Sequence, residues 1–91
     1  MTFAVAGLAI PERIKNSLDR YAQHHVPTGG FLKAVLENDL QEAVARADED
    51  TLMALRTICA YVYNELPSPC WGTREKVTKW LAEPIPTRRV G

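Results

Sequence analysis

No Cys-x-x-Cys pair occurs in the chain, and its only soft metal ligands are two cysteines and two histidines. Structural zinc needs four converging ligands, usually in closely spaced pairs. His24 and His25 are adjacent, and adjacent helical positions point roughly 100° apart, so they read as surface residues. Cys59 and Cys70 are expected to stay reduced rather than form a disulfide, on the premise of a cytoplasmic location. A nucleophile with a base can be assembled on paper from Cys70 and His24 or His25, but nothing local supports it. No catalytic residue, metal or cofactor is expected, and the chain is not read as an enzyme.

Charge of one sign is missing as well. The 11 Lys+Arg balance the 11 Asp+Glu, for a formal net charge of zero. A dedicated nucleic-acid binder needs excess positive charge to neutralise phosphates. The balance is uneven along the chain, however. Residues 37–50 carry six acidic side chains (Glu37, Asp39, Glu42, Asp48, Glu49, Asp50) against Arg46. Residues 71–91 carry five basic ones (Arg74, Lys76, Lys79, Arg88, Arg89) against Glu75 and Glu83. A dipolar surface is expected. Nucleic-acid binding by short helices joined by tight turns stays as an alternative, resting on the basic end.

Long apolar runs are absent. The stretch TFAVAGLAI is too short to span a bilayer and has no basic region before it. Residues 1–10 are therefore expected to pack on the domain or to pair with a partner, including a second copy in a homo-oligomer. No membrane or export signal is read, and the expected location is the cytoplasm. Strand alternation, internal repeats and low-complexity tracts are absent too. Gly29-Gly30 precedes a helix but lacks the Gly-Lys-Ser/Thr ending of a phosphate-binding P-loop, and reads as a turn. The Asp48-Glu49-Asp50 cluster lacks calcium-loop spacing.

What is present is helical periodicity in a chain of 91 residues, 46% of them hydrophobic. That is enough for one small domain with a thin core. Pro11 suits a first helical turn. Ile14, Leu18, Tyr21 and His25 then share a face, and Pro27 with Gly29-Gly30 ends that helix. Thr28 is expected to cap the next. Phe31, Leu32, Val35 and Leu36 form one apolar cluster, and Leu40, Ala43, Val44 and Ala47 a second. Asn38 with Gln41 fits a capping box between them, predicting two short helices that meet near Asn38; one continuous helix is the alternative. Asp48 caps the following helix, with Glu49 and Asp50 favourable to its dipole. Leu52, Leu55, Ile58 or Cys59, Val62 and Leu66 form a stripe, expected to make this the longest and most central helix, with Tyr61 and Tyr63 flanking it. Pro67 and Pro69 stop it. The last helix starts at Thr73 and buries Val77, Trp80 and Leu81. Pro84 and Pro86 end it, and residues 84–91 read as a flexible tail. The expected fold is all-α, a compact bundle of four or five short helices over residues 11–83.

The segment Cys70-Trp71-Gly72 reads as a plug and sharp turn before the last helix. Trp71 is expected to fold back on Val77 or Trp80, Gly72 permits the turn, and Thr73 caps the helix. Trp71 with Arg74, near Tyr61 and Tyr63, is also the best candidate for a partner-binding site, since aromatic and Arg side chains dominate contact hot spots. A nucleotide-sequestering site is the alternative, with Trp71 or Tyr61 stacking and Arg74 or Arg56 on phosphate.

Several pieces taken as a set resemble a family of small, mostly uncharacterised proteins of tailed bacteriophages and prophages. They are Pro27 to Leu32 (PTGGFL), Asn38 to Leu40 (NDL), Arg46 to Asp48 (RAD), Tyr63 to Pro67 (YNELP) and Cys70 to Gly72 (CWG). The likeness covers roughly residues 10–82 and rests on the set, since each piece alone is weak. Many members continue with Ser-Pro where this chain has Thr73-Arg74. The capping hydroxyl survives that change; the preset first turn does not. The resemblance implies a phage-linked accessory protein acting in the bacterial cytoplasm, without implying a mechanism; the lack of catalytic or metal constellations, the dipolar surface and the aromatic corner then favour non-covalent binding to a host or phage protein.

Overall fold

The computed structural model describes residues 3–5 and 7–83. Pro11 stands immediately before the first helix, at φ −59° and ψ 137°, one position earlier than the first turn. Helix α1 spans Glu12–His24 and buries Ile14, Leu18 and Tyr21, as their spacing predicts. It ends where His25 turns left-handed, at φ +58°. Pro27 follows and cannot continue a helix.

Helix α2 spans Gly30–Leu36, with Gly29 at its cap and no capping side chain. Thr28 is thus not the cap; its hydroxyl donates to the Gly29 carbonyl. Gly29 already supplies the extended backbone that a cap requires, and glycine is acceptable there. The predicted break follows. Asn38 takes φ +62°, its N–H bonds the Val35 carbonyl, and the Asp39 N–H bonds the Ala34 carbonyl. That pair of bonds is the Schellman ending, which favours Gly or Asn at the left-handed position. Asn38 therefore closes α2 instead of opening α3. Asp39 caps α3, Leu40–Arg46, by accepting from the Glu42 N–H. The cap lies one residue beyond the predicted position because a residue at positive φ cannot serve as the extended cap.

Asp48 caps α4, Glu49–Met53, in a complete capping box with Thr51. The predicted single long helix is broken. The chain turns at Ala54, with φ −94° and ψ 8°, and α5 runs Leu55–Glu65. At 11 residues α5 is shorter than the 13 of α1. The predicted stripe holds through α5, where Ile58, Val62 and Leu66 are buried, and fails ahead of it. Leu52 is 49% exposed, while Thr51, Ala54 and Thr57 are buried. Thr57 is tolerated inside because its hydroxyl donates to the Leu8 carbonyl, 2.9 Å away, and a satisfied buried hydroxyl costs little. Tyr61, expected at the flank, lies in the core beside Ile58, Val62 and Leu66.

After Pro67 a 3-10 turn, Ser68–Cys70, leads to Trp71 and Gly72. Gly72 adopts φ +118° and has room for a Cβ, so backbone strain selects glycine here. Its N–H bonds the Leu36 carbonyl at 2.7 Å, tying the turn to the end of α2. Helix α6, Arg74–Ala82, starts at the predicted Thr73 cap. Residues 84–91, read from sequence as a tail, lie outside the described residues.

Six helices among the described residues, five of them with seven or more residues, make an all-α bundle. One departure is a minimal antiparallel hairpin, β1 Ala4–Val5 and β2 Leu8–Ala9. Strands of two residues are too short to show alternation in sequence. The hairpin carries Phe3 edge-on to the Tyr61 ring at 5.1 Å, and Ile10 enters the core. No helix of the described residues is long and apolar enough to cross a membrane.

The ends of α1 and α6 are joined by polar contacts. The Tyr21 hydroxyl donates to the Cys70 carbonyl at 2.7 Å. The Trp80 indole N–H donates to the Tyr21 carbonyl at 2.9 Å. The His25 ring stacks on Trp80 at 4.3 Å, and its Nδ1 lies 2.6 Å from the Trp80 carbonyl.

Two predictions follow from this architecture. Tyr21→Phe keeps the shape but strands the Cys70 carbonyl in the core, and should destabilise by about 1–3 kcal/mol in denaturant unfolding. Hydrogen bonds from Thr51, followed by Arg13, hold the Asp48 carboxyl below the usual aspartate range. A lowered carboxyl stabilises fully above its unfolded value, about pH 4, and loses that contribution as pH falls through the folded value. The melting-temperature gap between wild type and Asp48→Ala should therefore be constant at neutral pH and shrink in acid.

Candidate functional site

Of the four residues singled out for partner binding, two meet. Trp71 and Tyr63 pack edge to face with ring centroids 5.8 Å apart. Trp71 is half-buried and its indole N–H reaches back to the Leu66 carbonyl at 3.4 Å, so the ring folds toward the end of α5. Tyr63 is 72% exposed. Arg74 lies apart from them, its Nε 3.6 Å from Glu37 Oε1. Glu37 is a nearly buried carboxylate that also has the Lys33 ammonium 2.8 Å away, in ionic contact without hydrogen-bond alignment. Tyr61 points the other way; its hydroxyl donates to Asp19. Arg56 is exposed on α5. The stacking role weighed for Tyr61 has no open ring face to work with, since the side chain is buried.

The Tyr63–Trp71 pair ends a longer surface strip. Leu55, Cys59 and Tyr63 are four residues apart and share one side of α5. Leu40 and Ala43 of α3 and Val35 of α2 meet Leu55 and Cys59 around a shallow hollow of about 50 Å³. Leu40 is 66% exposed and Met53 69%. Val44, one turn beyond Leu40, and Leu52, beside Met53, are also open to solvent. The hollow and the Leu55–Cys59–Tyr63 row thus link α3 to the aromatic pair, and Leu52 and Met53 of α4 are exposed ahead of α5. Asp39, Glu42, Glu49 and Asp50 lie along the same elements.

The spacing put Leu52, Leu55 and Ile58 or Cys59 in the core stripe; Ile58 is buried there, while Leu52 and Cys59 stand outside. The signal that would have placed them outside is the neighbouring set Thr51, Ala54 and Thr57, which has helical spacing too. Choosing between the two phases needs knowledge of which face the hairpin and α1 cover.

The thiols divide along the same line. Cys70 is fully buried, and burial pushes its thiol up to about 11. Cys59 is exposed at the strip, and desolvation on its inner side raises its thiol as well. Neither has the electropositive setting of a reactive cysteine. Among the described residues no cluster of three or more His, Cys, Asp or Glu is arranged to hold a metal ion.

A second surface was not anticipated as a site. Arg13, Ser17 and Arg20 line one stripe of α1 and face Gly29 to Leu32 and Arg46 across a cleft of about 370 Å³. Their i, i+4, i+7 spacing was readable in the sequence.

Comparison with protein-family models, with curated proteins and with solved structures returns no match.

The thiol geometry gives a direct check. Native protein should react with a maleimide at Cys59 alone, and Cys70 should label only after unfolding. Rapid native labelling of Cys70 would contradict the packed corner.

Proposed function

We propose that the chain is a small phage-type accessory protein that binds a host or phage protein non-covalently through the α3–α5 strip. The observation that carries this reading is an inversion of the usual sorting of side chains. Around the α4–α5 junction the core takes Thr51, Ala54 and Thr57, at 3%, 4% and 1% exposure, while Leu52 and Met53 stand in water. Burying a leucine or methionine side chain contributes about 1.5–3 kcal/mol. The opposite helical phase would bury these residues on folding, and the observed phase forgoes that gain. An apolar face of this kind is typical of an interaction surface.

The chemistry of the rim selects the occupant. Asp39 lines the hollow and Glu49 and Asp50 lie in the first turn of α4, so the matching partner is an amphipathic helix with aliphatic or aromatic anchors and Lys or Arg on its flanks. Helix-in-groove recognition uses such anchors at i, i+3, i+4 and i+7. Tyr63 and Trp71 supply the aromatic end, in keeping with the role of Tyr and Trp at contact hot spots. No chemistry by this chain is required.

The test is a titration of fluorescent amphipathic peptides, one set basic and one acidic on the polar face. Basic peptides should bind, more weakly as salt rises. Leu40→Asp and Met53→Asp should each lower affinity about tenfold or more, with circular dichroism unchanged because both side chains are exposed. Bound peptide should also slow maleimide labelling of Cys59. Equal binding of acidic peptides, or full binding by both variants, would sink the reading.

A further inference from the structure

Three arginines converge on the cleft between α1 and the α2–α4 segment: Arg13, Arg20 and Arg46. Asp48 is the one carboxylate among its lining residues, so the cleft carries excess positive charge. Arg13 lies 3.3 Å from Asp48, in an ion pair whose two side chains are more than half exposed, and such pairs are weak. Arg46 pairs through its Nε with Glu42, which leaves its terminal nitrogens uncommitted. Arg20 makes no ion pair among the described residues. Arg20 is thus the unpaired cation of the three among the described residues, while Arg13 and Arg46 each reach the cleft with a carboxylate partner.

The Arg46 position is specified by the backbone. Its Cδ and Nη1 lie 3.0 Å from where a Cβ on Gly30 would stand. A side chain at 30 would press on the Arg46 side chain and shift it by a few tenths of an ångström. Gly29, by contrast, has nothing within 4 Å of its missing Cβ. Beside the arginines the cleft is apolar: Ile14 and Leu32 are buried and Phe31 is half-buried. The neighbouring hollow of about 440 Å³ gives a contrast. Lys33, Arg46 and Arg74 there face Glu37, Asp39 and Glu42, so its charges are satisfied internally.

We infer that this cleft binds a phosphate monoester carried on a flat apolar group, the chemistry of a nucleotide. Arg20 and Arg46 take the phosphate in the forked geometry that guanidinium offers, Arg13 joins by releasing Asp48, and Phe31 with Ile14 and Leu32 supports the ring. The volume lies in the ordinary range for small-molecule sites, about 300–1,000 Å³. The inference is independent of the α3–α5 strip. The same chemistry can come from a free mononucleotide or from the 5′-phosphorylated end of a single strand, and the experiment separates the two.

The measurement is calorimetric titration of the full chain with inorganic phosphate, adenosine and uridine monophosphates, the nucleosides, and short oligonucleotides with and without a 5′-phosphate. Monophosphates should bind more tightly than either nucleosides or inorganic phosphate. Arg20→Ala and Arg46→Ala should each weaken binding about tenfold or more, and Arg56→Ala, outside the cleft, should not. Gly30→Ala should weaken binding by displacing Arg46, while Arg20→Ala, at an exposed position, tests the site without touching the packing. Preference for a phosphorylated oligonucleotide over the mononucleotide would assign the strand end; the reverse would assign the free nucleotide. Absence of binding at millimolar ligand, equal affinity for inorganic phosphate, or unchanged binding in both arginine variants would overturn the inference.

Discussion

Three parts of the chain far apart in sequence meet at Tyr21. Its ring is buried on α1, its hydroxyl holds the Cys70 carbonyl, and its own carbonyl receives the Trp80 indole. In the low-dielectric interior the phenol is a strong donor, and the group it serves has no water to turn to. Burial also drives its ionisation well above the usual tyrosine range, so it stays neutral and keeps donating. These bonds hold α6 together with its apolar face, where Val77 is buried and Trp80 and Leu81 pack partly buried against the core. The Gly72 bond to Leu36 then fixes the same corner against α2. From there the orientation of Trp71, and through it the aromatic end of the strip, follows.

Local signals read well because their physics is local. Asp48 and Thr73 cap helices as expected, since a cap is decided by a side chain and an amide three residues on. The break after α2 is legible for the same reason, although Asn38 and Asp39 exchange parts: each can stop or start a helix, and only the left-handed φ at Asn38 tells them apart. The phase of α4 and α5 is not local. Two interleaved sets of residues have helical spacing there, and the larger hydrophobes were the natural choice. The core took Thr51, Ala54 and Thr57 alongside Ile58, Val62 and Leu66 of the predicted stripe, and Thr57 satisfies the Leu8 carbonyl. The hairpin escaped notice because two residues per strand carry no period. Of the candidate site, Tyr63 and Trp71 were legible as an aromatic corner. The separation of Tyr61 from them follows from a rotation of about 200° between positions two apart on a helix.

Helix α3 is the wall shared by the two surfaces. Leu40 and Val44 stand one turn apart on its outer side, and Glu42 with Arg46 one turn apart on the other. Seven residues suffice for both pairs because i, i+4 partners form two rows on opposite faces. One row is apolar with acidic neighbours, and the other delivers a guanidinium to Gly30. Asp39 caps the helix and Gly30 leaves the space, so positioning is done by residues that touch neither proposed ligand.

Both surfaces are costly in the isolated chain, and the costs are of different kinds. The strip leaves leucine and methionine in water where threonine and alanine could have stood. The cleft gathers three guanidinium groups, two paired with Asp48 and Glu42 and the third, Arg20, without an ion pair among the described residues. A domain with so thin a core has little stability to spare, and single substitutions such as Leu52→Thr or Arg20→Gln would relieve each cost without disturbing a buried contact. Features that work against folding yet sit on well-capped, well-packed elements are best explained by what they hold when occupied. An apolar strip with an acidic rim and an arginine cleft with an apolar floor call for different occupants, one a cationic helix and one a small anion.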